Sequence, residues 1–162
     1  MTTIRLEAWE REWAGHVGGK RHEANLWKRD AKHYDPARMQ DNLTASVASA
    51  CAELAVAKRL NKYWDGSYWT AQEHDRYRDR PDVGENTEVR RIREAGNPLA
   101  VRARDVERGR VMVLAYPVPD EFVTVEVIGY GMAAELWELG VPAAYDPDGT
   151  TRLVPQAMLN PL

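Results

Sequence analysis

Ile4, Leu6, Trp9, Trp13 and Val17 recur at roughly helical spacing, which predicts an amphipathic helix over residues 4–14. Gly15, Gly18 and Gly19 interrupt the pattern, and a second short helical pattern runs through Leu26 and Trp27. Asp41-Asn42 is placed to cap a long helix from Leu43 to about Leu60, which Lys58-Arg59 closes in the sense its dipole favours. Tyr63, Trp64, Tyr68 and Trp69 surround the turn signal Asp65-Gly66, predicting a short strand or hairpin. Gln72 to Arg80 reads as a polar loop.

The second half alternates with period two. Thr87-Glu88-Val89-Arg90 reads as a strand continuing through Ile92 and stopping near Gly96-Asn97-Pro98. Leu99, Val101 and Ala103 alternate with Arg102 and Arg104 as a half-exposed strand, and 105–109 is a turn or a one-turn helix. Val111 to Val118 is the most apolar run and predicts a buried strand, with another from Phe122 to Ile128. Gly129 and Gly131 lead into a short helix from Met132 to Leu139, ended by Gly140. Val141 to Leu162 carries four prolines and reads as largely extended. No internal repeat or domain boundary is visible.

Composition narrows the picture. A chain of 162 residues fits one domain with a real core, and a net charge of −3 excludes a wholesale basic coat. Contact with nucleic acid would therefore come from a local patch, of which residues 20–38, with Lys20, Arg21, Lys28, Arg29, Lys32 and Arg38, are the most basic. The lone Cys51 leaves no internal disulfide and no zinc ligand set. The charged start and the lack of a long apolar run point to a cytoplasmic chain without a membrane span. Six Trp and seven Tyr against one Phe fit a small core packed with amphipathic rings, or an interface.

The chemistry concentrates in Arg80-Pro81-Asp82-Val83-Gly84-Glu85-Asn86-Thr87-Glu88-Val89-Arg90. A three-residue loop at 84–86, with Asn86 left-handed, would set Val83 opposite Thr87 and Asp82 opposite Glu88. Directly opposed like charges destabilise a strand pair, and Arg90 shares the face of Glu88. A divalent cation would relieve the two carboxylates. Upstream, Glu53 is the one charged residue between Asn42 and Ala57, with Ser49, Ala50, Val56 and Ala57 one turn away. Buried there, it needs a proton, a partner or a metal. Ordinary surface acids remain the alternative for all three.

A helix carrying Glu53, then Pro81-Asp82 and Glu88-Val89-Arg90 on a hairpin, resembles the PD-(D/E)XK nuclease superfamily. More narrowly, Ala50-Cys51-Ala52-Glu53-Leu54-Ala55-Val56-Ala57-Lys58, Tyr63-Trp64-Asp65-Gly66-Ser67, Pro81-Asp82-Val83-Gly84, Val101-Arg102 and Ile128-Gly129-Tyr130 look like small phage and prophage members. The likeness covers roughly residues 45–140. Arg90 stands where the family motif has lysine, and the crossover helix usual after that strand is at most short here.

The resemblance implies an α+β fold: a restriction-endonuclease-like core over 41–140 with a mixed β-sheet flanked by helices, a helical extension over 1–40 and an extended tail over 141–162, all in one domain. It implies Mg²⁺-dependent hydrolysis of DNA, with Mn²⁺ as substitute and no small-molecule cofactor. Asp82, Glu88, Glu53 and the Val89 carbonyl would be metal ligands, and Arg90 would stabilise the transition state. Arg93 and Arg102 would contact phosphates, with Lys58, Arg91 and the 20–38 stretch behind them. A homodimer stays open. The rival is a catalytically inactive protein of the same fold binding DNA or a phage or host protein. A third class is an accessory protein that self-associates through its tryptophans.

Overall fold

The computed structural model describes residues 1–26, 39–70, 72–77 and 79–162. Trp27 and most of the basic 20–38 stretch lie outside the described residues. The chain opens with a strand, β1 (Thr2–Arg5), and only then enters helix α1 (Ala8–Leu26). The run Thr2-Thr3-Ile4 is β-branched and has a strand to pair with, which overrides the helical reading of residues 4–6. α1 then passes unbroken through all three glycines that were expected to interrupt it.

Gly18 explains why. A Cβ there would lie 2.5 Å from Cα of Val47 on the second long helix, α2 (Met39–Leu60), so the glycine is where the two helix backbones approach. The close packing offsets the roughly 1 kcal/mol that glycine costs inside a helix. Gly15 and Gly19 meet nothing within 4 Å. Gly18→Ala should therefore lower the melting temperature by about 2–12 °C, the range for ~1–3 kcal/mol of overpacking. Gly15→Ala and Gly19→Ala should raise it, since alanine is the better helix former. A Gly18→Ala melt at or above wild type would show that the helices can part freely.

α2 begins at Met39, so the capping pair expected at Asp41-Asn42 lies inside it. It ends on Asn61 in the left-handed region (φ 52°), with the Lys62 N–H returning to the Ala57 carbonyl at 2.9 Å. Residues 61–70 then form no strand, contrary to expectation. The segment is pinned by single contacts instead, among them the Gly84 N–H on the Tyr63 carbonyl at 3.0 Å. One short helix follows, α3 (His74–Tyr77).

The remaining elements are β2 (Thr87–Arg91), β3 (Leu99–Arg102), α4 (Ala103–Glu107), β4 (Val111–Pro117), β5 (Thr124–Met132), α5 (Ala133–Leu139), β6 (Val141–Pro142) and β7 (Thr151–Val154), then a 3₁₀ turn at Gln156–Met158. The main sheet has the order β1-β5-β4-β2. β2 runs parallel to β4, with β3 and α4 in the crossover, and the other pairings are antiparallel. β3, β7 and β6 form a second, antiparallel sheet, so the extended tail is a paired element. The fold is α+β, with a mixed sheet flanked by helices.

Alternation on β4 divides the interior in two. Val113 and Ala115 face α1 and α2, joining Leu6, Ala14, Val17, Val56, Val89 and Val127. Met112 and Leu114 face the other way, to Leu99, Val101, Leu136 and Val154. These side chains are aliphatic and small, not the packed aromatic rings that composition favoured. Trp64 is buried, whereas Trp9 and Trp13 are at least half exposed. Cys51 lies in the helix-side core, where burial pushes its thiol up to about 11. Among the described residues, no helix is long and apolar enough to cross a membrane.

Candidate active site

The turn forms with the predicted Val83–Thr87 pair, an isolated bridge; Asp82 lies outside any strand and Glu88 pairs with Met112 on β4. Val83 and Thr87 face each other and exchange both backbone hydrogen bonds, at 3.1 and 3.2 Å. The left-handed residue is Gly84 (φ 58°), not Asn86, so the loop turns at its first position. Glycine takes that conformation without the steric cost a side chain would add. The turn places Asp82 so that its Oδ2 accepts the Val89 N–H at 2.8 Å.

Glu53 and Glu88 lie within electrostatic reach of Asp82. The carboxyl of Asp82 is pushed well above the usual carboxylate range, first by withdrawal from water and then by the negative charges of Glu53 and Glu88. The Val89 N–H and Arg90 oppose that rise. Among the described residues, no salt bridge reaches Asp82.

The two glutamates are differently placed, because each holds an arginine. Glu53 is buried, as its small apolar surroundings required; its Oε1 lies 2.6 Å from Arg21 Nη1, and its Oε2 accepts the Trp64 indole N–H at 3.0 Å. Arg21 comes from α1 and also donates to the Ser67 carbonyl at 3.0 Å. Glu88 Oε1 lies 2.5 Å from Arg90 Nη1. Arg90 Nη2 meanwhile donates to both carboxylate oxygens of Asp105, at 3.1 and 2.9 Å. Arg90 thus pairs with Glu88 and Asp105 and leaves Asp82 without a direct counter-ion.

The other predicted contacts sort clearly. Arg102 ends β3 within the field of Arg90, so it belongs to the cluster's edge. Arg93 is exposed past the end of β2. Lys58 is tied to Glu10 at 2.8 Å and to the Arg5 carbonyl, a bond between α2 and the start of α1. Arg91 Nε donates to Ser49 Oγ at 2.9 Å, joining β2 to α2. Sequence reasoning missed Arg21, Trp64 and Asp105. Trp64 lay in a flagged turn and Arg21 in a flagged basic cluster, but neither pattern names Glu53 as partner. Asp105 carried a readable signal, an acid three residues beyond Arg102 whose N–H it caps at 2.9 Å.

No family model, curated protein or solved structure matches the chain. The site must be judged on its own chemistry. Among the described residues, no three acidic, histidine or cysteine side chains are grouped as a ready cage for a metal ion. Calcium and structural zinc sites, which need such cages, find no support. Magnesium differs: it keeps several waters and is commonly bound by one or two carboxylates together with substrate phosphates. Asp82, a hard oxygen donor without a paired cation and pressed by two like charges, fits that smaller demand.

Proposed function

We propose that the chain is a metal-dependent nuclease hydrolysing phosphodiester bonds in DNA, with the Asp82 cluster as its site. One observation carries this reading. Asp82 is held by the Val89 N–H, faces the charges of Glu53 and Glu88, and has no cation paired to it among the described residues. Asp82 with Glu88 or Glu53, and the Val89 carbonyl beside them, would hold Mg²⁺ or Mn²⁺, which supplies a water of lowered pKa and a polarised phosphoryl oxygen.

The chain's own groups have definite work under this reading. Arg90, locked between Glu88 and Asp105, presents a fixed positive charge to a phosphoryl group gaining negative charge. It cannot serve as a general base, because an arginine keeps its proton in a protein. Arg21 and Trp64 hold both oxygens of Glu53 and so fix where that charge stands. The parallel pair β2 and β4, its crossover through α4, and the two helices against one sheet face support the restriction-endonuclease-like core. A small phage-encoded protein acting in the host cytoplasm is the setting this reading implies.

A second reading has its own support: a catalytically inactive protein on this scaffold that binds DNA or a phage or host protein. Arg21 and Arg90 already neutralise two of the three acids, as internal cations would in a site that recruits no metal. Incubating supercoiled plasmid with the protein and Mn²⁺ separates the two. Nicking that stops with EDTA and is absent from Asp82→Ala is the result expected of a nuclease. DNA retained in a gel shift in EDTA, with no nicking in Mn²⁺, would assign the chain to the second class.

A further inference from the structure

The segment between α2 and the Asp82 turn carries a series of aromatic rings. His16 on α1 meets Tyr68 edge to face, with ring centroids 5.9 Å apart. Trp69 follows in the chain and stacks on Tyr77 of α3 at 6.1 Å, the two planes 28° apart. The guanidinium carbons of Arg76 and Arg80 each lie over the Tyr77 ring, 5.3 Å from its centroid. Both ends of the series are tied to the candidate site. Ser67, one residue before Tyr68, is held by Arg21, which also holds Glu53. Arg80 is followed directly by Pro81 and Asp82. Among the described residues, Tyr68, Trp69 and Tyr77 belong to neither core. Tyr68 is 48% exposed, Trp69 and Tyr77 are half-buried, and both arginines are exposed. The Asp65 carboxylate stands 3.7 Å from Arg80, beyond a hydrogen bond.

We propose that Tyr68, Trp69 and Tyr77, with Arg76 and Arg80, form a stacking track that brings unpaired bases of single-stranded DNA to the Asp82 cluster. The inference rests on the reading of that cluster as a DNA site and names the strand state it takes. A duplex hides its base faces in its own stack, whereas a single strand offers every base to an exposed ring. A guanidinium that meets a ring through its face keeps its N–H edge for phosphate oxygens. Rings then hold bases while Arg76 and Arg80 hold the backbone between them. Trp64, which braces the same segment, is buried; Tyr68 is left in water, where bracing alone does not need it. Two cations at the end of an aromatic series suit a polyanion better than the apolar face of a second copy.

The test is run in EDTA, so that binding is read without cleavage. A fluorescein-labelled DNA strand of about 16 nucleotides and its blunt duplex are titrated by anisotropy. The proteins are wild type, Tyr68→Ala, Tyr68→Phe, Arg80→Gln and Tyr145→Ala, the last removing a 70% exposed ring from the connection between β6 and β7 as a control. Tyr68→Ala should bind the single strand about five- to a hundredfold more weakly and the duplex as wild type does. Tyr68→Phe keeps the stacking face and should stay near wild type, as should Tyr145→Ala. Arg80→Gln should lower the slope of log affinity against log salt by about 0.7, the share of one phosphate contact. The melt of Tyr68→Ala should lie within about 2 °C of wild type, which separates lost binding from lost folding. A Tyr68→Ala protein that binds the single strand as Tyr145→Ala does, or loses strand and duplex alike, would overturn the proposal. So would self-association broken by Tyr68→Ala with DNA binding intact, or a wild type that holds no single strand. Plasmid nicked in Mn²⁺ by such a wild type would still support the nuclease. Plasmid left whole by a protein that passes the binding tests would leave the track standing without hydrolysis.

Discussion

Replacing Arg90 with methionine is expected to lower the unfolding free energy by about 3–5 kcal/mol, the usual loss when one partner is cut from a buried ion pair. Glu88 and Asp105 would both be left charged, and the Asp105 side chain has only 2% of its surface in contact with water. Methionine preserves the length and apolar stem, so the loss reports the missing guanidinium and not a cavity. In a chain of this size the melting temperature should fall by about 6–20 °C. Arg90→Lys should lie between. It keeps the charge, but a single ammonium lacks the planar fork that reaches two acids at once. Urea unfolding of the three proteins is the measurement. If the methionine variant unfolds within about 1 kcal/mol of wild type, the Arg90 network is not what holds the two acids in place.

That network also marks where the sequence stopped being legible. The turn was readable because its Val83–Thr87 pair depends on local turn chemistry: Gly84 and Thr87 act within four residues of one another. Glu53 was readable for a similar reason, since a lone charge on an Ala-rich helix face has few stable fates. What no local pattern carried was the identity of the partners. Arg21 reaches Glu53 because Gly18 lets α1 lie against α2, a consequence of packing between segments far apart in sequence. Asp105 reaches Arg90 because β2 and β4 pair in parallel, which brings the crossover back over the sheet. The first strand was lost because Ile4 and Leu6 satisfy a helical period as well as a strand one, and only the free edge of β5 decides between them. The tryptophans misled for a compositional reason. A count of rings says nothing of burial, and the close α1–α2 contact favours alanine and valine.

Asp82 tests the site from the opposite direction, because here removing a charge is expected to stabilise. Its folded pKa stands above the unfolded value of about 3.9, so between the two the folded chain binds more protons than the unfolded one. The stability this group contributes is therefore complete below about pH 4 and is lost as pH rises through the raised value. Asp82→Asn keeps an oxygen for the Val89 N–H but carries no charge at any pH. The two proteins should melt together near pH 4, with the asparagine variant several degrees higher at pH 8. Each unit of separation is worth about 1.4 kcal/mol, and each kcal/mol moves the melt by about 2–4 °C. Saturating Mn²⁺ should then invert the order at pH 8, since a bound cation relieves in wild type the repulsion that asparagine avoids. A variant that stays the more stable protein in Mn²⁺ would leave the arginine-neutralised binding protein as the better account of this cluster.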